Sequence, residues 1–293
     1  MQRPDVLVLG AGGTIGAAWM SGVLAGIAAE TGIDFGQTEQ LVGTSAGSMV
    51  AADLLAGVEP RVPEGAADAT PLEPEPDGDG ENGGLKGGAA RLGALLGSAA
   101  AAPLVPLALA AANPISTRLR AAALGRIASP DAALDDLRER IAGHGLRFDG
   151  RLRVVCVERE SGRRVVFGAP GSPKASVAEA VQASCSVPWT HHAVRIGEHE
   201  YVDGAVWSPT NVDAAPALRD THVLCLAPIA GSLDGNPRHA AIRAATTTAL
   251  TLETLALRHR GAVLEVIAPH DGEPGEHARL TGYRQGLAFA RGR

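Results

Sequence analysis

The stretch Leu41-Val42-Gly43-Thr44-Ser45-Ala46-Gly47 is the part of this sequence that decides the fold. An apolar run leads into a serine that stands between two glycines, and residues 48–55 continue with the spacing of a helix. Small residues let the backbone turn sharply where a strand meets a helix, and they leave the serine hydroxyl exposed. The stretch therefore predicts a strand, a tight elbow and a helix, with Ser45 as a candidate nucleophile.

A second unit of the same kind lies upstream, at residues 6–31. Residues 6–9 form an unbroken apolar run, typical of a parallel strand buried on both faces. The loop Gly10-Ala11-Gly12-Gly13-Thr14-Ile15-Gly16 follows, and the helix after it ends at Gly32. Successive strand-loop-helix units predict an α/β fold, with a mainly parallel central sheet flanked by helices.

The middle of the chain predicts two hairpins, at residues 152–167 and 194–202, with a helix over 130–142 ahead of them. The second hairpin delivers Asp203-Gly204-Ala205 into a loop. Asp-Gly alone is an ordinary turn, but here an apolar strand ends at the aspartate and Gly204 leaves room for another chain segment to approach. Asp203 is therefore a candidate general base.

Two unusual segments separate the elbow from the hairpins. Residues 58–90 are rich in Pro, Gly, Glu and Asp and poor in β-branched and aromatic residues, which predicts a disordered acidic insertion. Residues 92–112 carry no charge and have the length of a membrane span, but they are mostly Ala and Gly and contain Pro103 and Pro106. We therefore expect a helical lid or cap over 91–143, with 91–112 as a candidate for peripheral membrane contact, within one domain spanning 1–293.

Charge and cysteine content narrow the function classes. The net charge of −6 argues against nucleic acid as a partner, and most of it resides in the acidic insertion. Three cysteines at wide spacings predict reduced thiols rather than disulfides or a zinc site. The N-terminus has no signal-peptide pattern, so we expect a cytoplasmic protein, with peripheral contact at the membrane. No metal or cofactor is expected, because no HExxH-like spacing occurs.

The Ser45 hydroxyl is almost wholly protonated at neutral pH, so its chemistry needs a base and hydrogen-bond donors for an oxyanion. The amides of the glycine loop can point into one cavity beside a helix N-terminus. A dinucleotide site is the competing interpretation of this loop, although Ile15 stands where the fingerprint requires glycine and Asp34 is the nearest downstream acid. A Ser-His-Asp triad is the rival mechanism, with His270 as its best-placed histidine.

The glycine loop, the elbow Gly43-Thr44-Ser45-Ala46-Gly47-Ser48 and Asp203-Gly204-Ala205, in that order, resemble the patatin-like phospholipases. The segment Ala183-Ser184-Cys185-Ser186-Val187-Pro188 is similar to the family's approach to its aspartate. The resemblance implies a three-layer α/β/α fold and a lipid acyl hydrolase, of the phospholipase A or carboxylesterase type, with a Ser-Asp dyad. It implies Ser45 as nucleophile, Asp203 as base, and the amides of Gly12 and Gly13 as oxyanion donors.

Two positions depart from the family's glycine-loop pattern. Ala11 replaces a glycine, which matters only if that residue needs a positive φ. Ile15 replaces an Arg or Lys, which removes a cation that an anionic headgroup would contact. Two other interpretations therefore stay open beside the hydrolase: a nucleotide-binding oxidoreductase that uses the glycine loop, and a catalytically weak lipid-binding regulator.

Overall fold

The computed structural model describes residues 1–64, 66, 117–128, 130–230, 240–269 and 277–292. The strands are β1 (Val6–Leu9), β2 (Gln40–Thr44), β3 (Leu152–Glu158), β4 (Arg164–Phe167), β5 (Val194–Ile196), β6 (His199–Asp203), β7 (His222–Leu226) and β8 (Val263–Ile267). The α-helices are α1 (Gly13–Thr31), α2 (Ala46–Leu55), α3 (Thr117–Arg126), α4 (Asp135–Gly143), α5 (Val177–Cys185), α6 (Ala240–His259) and α7 (Ala278–Arg291).

The strands form one mixed sheet in the order β5-β6-β3-β2-β1-β7-β8, and β4 also pairs with β3. The central run from β3 to β8 is parallel throughout. Both predicted hairpins are present as antiparallel pairs, and β6 joins the parallel run by pairing antiparallel to β3. The predicted fold class, a three-layer α/β/α arrangement around a mainly parallel sheet, is confirmed.

Alternation of side chains along the strands divides the core into two layers. Leu7 and Leu9 of β1 face one side, where they pack with apolar residues of α1, α2 and α5. Val6 and Val8 face the other side, where residues 212–217 and α6 cover the sheet. Each fully buried Val or Leu side chain contributes about 1.5–3 kcal/mol through removal from water. The parallel strands read as unbroken apolar runs because both faces are covered.

Helices α1 and α7 cross at very short range through four glycines, which we call the glycine seam: Gly22, Gly26, Gly282 and Gly286. A Cβ atom added to any of them would lie 2.1–2.2 Å from a carbonyl oxygen of the facing helix. A side-chain bond adds to the contact, because Trp19 Nε1 donates to Gln285 Oε1 at 2.6 Å. The seam fixes α1, and with it the glycine loop that precedes α1, against the C-terminal part of the chain.

Helix α4 differs from its prediction, since it begins at Asp135 rather than at Pro130. Asp135 and Asp136 occupy its first turn, where negative charge favours the helix N-terminus. Asp135 also accepts a hydrogen bond from Gln182 Nε2 of α5 at 3.0 Å, which fixes the start of the helix against its neighbour.

Most of the acidic insertion at 58–90, and the lid residues 91–116, lie outside the described residues. The single domain, the lid and its membrane contact therefore stay predictions. Among the helices that the structure describes, none combines the length and apolar character needed to cross a membrane.

Candidate active site

Ser45 lies where β2 ends and α2 begins, in the predicted elbow. Its backbone has φ 52° and ψ −123°, a region that residues with a side chain rarely occupy. The elbow is tight because a Cβ on Gly47 would come within 2.0 Å of the Leu9 carbonyl oxygen. Glycine at this position therefore brings the elbow against the end of β1, directly before the glycine loop.

Two serines hold the strained backbone of Ser45. Ser184 Oγ accepts a hydrogen bond from the Ser45 amide at 2.8 Å and donates one to the Val155 carbonyl at 2.7 Å. Ser48 Oγ donates to the Ser45 carbonyl at 2.6 Å. The amide and the carbonyl of Ser45 are thus both bonded within the fold. Its side chain is the group of the elbow that is available for chemistry.

Asp203 ends β6 and is only 2% exposed. Its Oδ1 accepts a hydrogen bond from the Ala205 amide at 2.8 Å, and the Ser45 side chain lies near enough to act on the carboxylate. Burial raises the pKa of Asp203 to about 7, while the Ala205 amide and the Ser45 side chain oppose the shift. The structure therefore brings the predicted nucleophile and the predicted base together, with the base half ionised near neutral pH.

The glycine loop presents free amides at the start of α1. Gly10 and Ala11 donate their amides to the carbonyls of Leu226 and Pro209, at 3.0 and 2.8 Å. The amides of Gly12 and Gly13 have no protein acceptor within the described part of the chain. Gly13, at φ 59°, opens the helix, where unpaired amides favour negative charge. These are the two amides predicted to bind an oxyanion.

The two departures in the loop have different structural consequences. Ala11 is buried and is not among the described residues with positive φ, so alanine fits there without strain. Ile15 is 40% exposed on the first turn of α1, so an apolar side chain stands at the surface where the family carries a cation. The change at residue 15 therefore alters the surface next to the loop and leaves the loop backbone intact.

Histidine is not among the groups that influence Asp203 in the described chain, where burial, Ala205 and Ser45 act on its pKa. His144 bonds to Asp53 and His199 bonds to Glu158, each at 2.9 Å. His270, the best-placed triad candidate, lies outside the described residues, as does His239. The geometry supports direct contact between serine and aspartate.

Cofactor and metal candidates lie apart from the elbow. Asp34 accepts a hydrogen bond from the Gly36 amide at 2.8 Å, which closes a local turn before β2. Within the part of the chain that is described, the ligand atoms of Glu158, Glu160 and His199 lie within 4.8 Å of one another at partly exposed positions. His199 Nδ1 and Glu158 Oε1 are in direct contact at 2.9 Å, while Glu160 Oε1 accepts a hydrogen bond from the Glu200 amide.

Two groups at the site were not assigned a role from the sequence. Ser184 stands in the segment before Pro188, where nothing in its spacing distinguishes it from the neighbouring Ser186. Asn211 follows the Asp203 loop and is fully buried, with a backbone φ of 49°. In the sequence, each of the two is only a polar residue among apolar neighbours. Their roles could not be found from spacing, because the partners of both side chains come from distant parts of the chain.

A groove of about 410 Å³ runs between α1 and α2 next to the site. It begins at Thr14, adjacent to Gly13, and at Met49, one helical turn after Ser45. Apolar side chains and basic groups both line it; among them are Ala17, Val50, Leu54, Arg61, Arg140 and Arg279. The size and mixed lining suit a small amphiphilic molecule.

The comparisons with known proteins identify one family. The family model described as patatin-like phospholipase matches residues 7–216, a range that contains the glycine loop, Ser45 and Asp203. No curated protein sequence matches the chain significantly.

Proposed function

Because the chain belongs to the patatin-like phospholipase family, we propose that it hydrolyses carboxylic esters of lipids through an acyl-enzyme on Ser45, with Asp203 as the general base. Members of this family are hydrolases of lipid esters. The observation that carries the proposal for this chain is the strained Ser45 elbow next to the buried Asp203 carboxylate, on whose pKa the Ser45 side chain acts. That arrangement gives a hydroxyl with little intrinsic nucleophilicity a base within reach.

In the proposed acylation, Asp203 accepts the Ser45 proton as Oγ attacks the ester carbonyl. The carbonyl oxygen becomes negative, and the amides of Gly12 and Gly13 donate hydrogen bonds to it. Each such donor contributes about 3–4 kcal/mol in hydrolases where it has been removed by mutation. Asp203 then gives its proton to the leaving alcohol, and the acyl group stays on Ser45.

Deacylation repeats these steps with water as the nucleophile. Asp203 takes a proton from the water that attacks the acyl carbonyl, and it returns that proton to Ser45 Oγ as the carboxylic acid leaves. A pKa near 7 suits both directions, since the group must accept and release a proton at the same pH. Burial of Asp203 is therefore part of the proposed chemistry, because it raises the basicity of the carboxylate.

The groove between α1 and α2 supports a lipid substrate. Thr14, the residue after Gly13, contributes to its lining, and so do apolar residues such as Met49 and Val50. Arg61 and Arg279 bring positive charge to the same groove, whereas Arg140 is paired there with Asp53, Glu59 is acidic and Ile15 is uncharged. We infer that the acyl chain lies along the apolar wall, with polar parts of the lipid near the arginines.

Two isosteric or near-isosteric variants test the mechanism. Ser45→Ala and Asp203→Asn should each lower hydrolysis of a chromogenic acyl ester at least about a thousandfold. A fluorophosphonate should label the wild type and leave Ser45→Ala unmodified. Asp34→Asn is the matched control, because Asp34 bonds within a local turn before β2, to the Gly36 amide, and does not line the groove. Full activity in either dyad variant would overturn the mechanism.

Two measurements distinguish the proposed hydrolase from the two other interpretations. A catalytically weak lipid-binding regulator would not react with the fluorophosphonate, because its serine would lack activation. A nucleotide-binding oxidoreductase would bind NAD(P)H saturably, which a fluorescence titration detects. The proposal expects rapid labelling of Ser45 and no saturable nucleotide binding.

A further inference from the structure

One side-chain amide bonds to the chain neighbours of both proposed catalytic residues. Asn211 Nδ2 donates to Thr44 Oγ1 at 3.2 Å, and Thr44 directly precedes Ser45. The same nitrogen donates to the Gly204 carbonyl at 3.3 Å, and Gly204 directly follows Asp203. From this geometry we propose that Asn211 is a positioning residue that sets the separation of Ser45 from Asp203, an inference that rests on the proposed function.

The sheet alone does not connect these two residues. Ser45 follows β2 and Asp203 ends β6, but β3 lies between those strands. Two strand spacings separate β2 from β6 by about 10 Å, so no backbone ladder bond joins them. Gly204 crosses this gap closely enough that a Cβ on it would lie 3.2 Å from Thr44 Cγ2. The hydrogen bonds from the Asn211 amide to Thr44 and Gly204 hold the two segments together at this point.

The orientation of the Asn211 amide is fixed from its other end. Arg164 Nη1 donates to Asn211 Oδ1 at 3.2 Å, so the oxygen faces the guanidinium and the nitrogen faces the carbonyl and hydroxyl acceptors. Arg164 is itself held by a two-point contact with Asp213, at 2.6 and 2.8 Å. A donor that is held rigidly in this way can define a distance, which a mobile side chain cannot.

The loop around Asn211 has anchors that do not involve its side chain. Glu253 Oε2 of α6 accepts hydrogen bonds from Thr210 Oγ1 at 2.7 Å and from the Val212 amide at 3.0 Å. Removing the amide also removes its 2.5 Å bond to the Ser208 carbonyl in the same loop. The two Glu253 bonds on either side of Asn211 remain, so the dyad should loosen while the loop keeps its place. This separation of roles makes the inference testable.

The test compares three variants in a soluble-ester assay. Asn211→Gly removes the amide and keeps a residue that adopts positive φ without strain. It should lower kcat about tenfold to a hundredfold, with KM within about threefold of wild type, because an ångström-scale displacement costs about that much. Thr44→Val, which removes one acceptor and keeps the shape, should lower kcat about threefold to tenfold.

Thr210→Val is the matched control. It removes one of the two Glu253 bonds that anchor the loop but keeps the Val212 bond and the whole Asn211 amide, so kcat should stay within about twofold of wild type. The pH profile adds a readout that a loss of stability would not move. In Asn211→Gly the acidic limb of kcat/KM should shift to higher pH, because a longer bond from Ser45 lowers the pKa of Asp203 less.

The outcomes separate this inference from the function on which it rests. A folded Asn211→Gly enzyme with the kcat and pH profile of Thr210→Val would overturn the positioning role, while a Ser45-dependent wild type would keep the proposed function. If Asn211→Gly does not fold, an unchanged kcat in Thr44→Val overturns the role and a lowered kcat supports it. Wild-type hydrolysis that does not require Ser45 would overturn the proposed function itself.

Discussion

Ser184 and Ser45 are 139 positions apart in the chain, yet the Ser184 hydroxyl accepts the Ser45 amide hydrogen at 2.8 Å. The same hydroxyl donates to Val155 of β3, the strand that lies between the nucleophile and the base. A backbone at φ 52° persists only where its surroundings determine it fully. Ser184 is therefore part of what keeps the Ser45 side chain directed at Asp203.

Replacing Ser184 with alanine should weaken both activity and stability. The variant leaves the Ser45 amide and the Val155 carbonyl buried without their partner, which should lower the free energy of unfolding by about 2–3 kcal/mol. Labelling of Ser45 by a fluorophosphonate should slow about tenfold or more. Urea unfolding and labelling rates measure the two effects. Ser186→Ala is the control, because Ser186 Oγ donates only within its own turn, to Gln182, and its loss should leave labelling unchanged.

Catalysis should follow the ionisation of Asp203. Only the carboxylate accepts the Ser45 proton, so kcat/KM for a neutral ester should fall as the pH drops below about 7, the pKa to which burial raises this group. Cys156 and Cys185 also face Asp203, but burial raises the pKa of both thiols, so they stay neutral in this range. Rates measured from pH 5 to 9 test this expectation.

Glu253 provides the control for that profile, since burial raises its pKa to about 7 as well. Glu253→Gln should leave the midpoint in place if Asp203 governs the rate. If the acidic limb of the pH profile disappears in Glu253→Gln, then Glu253 rather than Asp203 governs the rate, which would contradict the prediction.

The pH dependence of stability should be opposite to that of activity. The folded-state pKa of Asp203 lies above the usual value of 3.8, so the folded protein holds this proton more tightly than the unfolded chain does. The resulting loss of stability develops as the pH rises from about 4 to 7 and is complete above 7. Asp203→Asn should therefore be more stable than wild type at pH 8, by at most about 4 kcal/mol, and the difference should vanish near pH 4. Urea unfolding at both pH values measures it.

The glycine seam should tolerate no added methyl group. Gly282→Ala would place a Cβ 2.2 Å from the Trp19 carbonyl oxygen, so α7 must move away from α1, at a cost of about 3 kcal/mol or more. Gly125→Ala on α3 is the matched control, because no atom of another described segment lies within 4 Å of its Cβ position. Its higher helix propensity should leave the protein equally stable or more stable by about 0.5–1 kcal/mol. Equal thermal shifts in the two variants would contradict the close packing.

Local signals in the sequence were enough to predict the layers of the fold, and they also singled out the pair that we propose for its site. Ser45 stands in a strand-to-helix turn made of small residues, and Asp203 ends an apolar strand, so each can be found from its immediate neighbours. The start of α4 was predicted five residues early, because a Ser-Pro pair resembles a helix start, whereas the bond from Gln182 to Asp135 comes from another helix.

Ser184 and Asn211 could not be predicted for the same reason. Their importance depends on Val155, Thr44 and Gly204, which reach them only through the completed sheet. Propensity and spacing describe neighbours in sequence, and these contacts join residues that are distant in the chain.

The glycine seam joins α1, a helix that is synthesised early, to α7, a helix that is synthesised late. Helix α1 is made early, directly after Gly12, but its contact surface on α7 is translated only after Ser45, Asp203 and Asn211 have all left the ribosome. Contacts between segments so far apart raise the contact order, which slows folding. The nascent chain thus carries every proposed catalytic group before α1, which follows the proposed oxyanion amides, can pack against α7. We therefore expect the proposed site to be fully formed only once α7 has been translated.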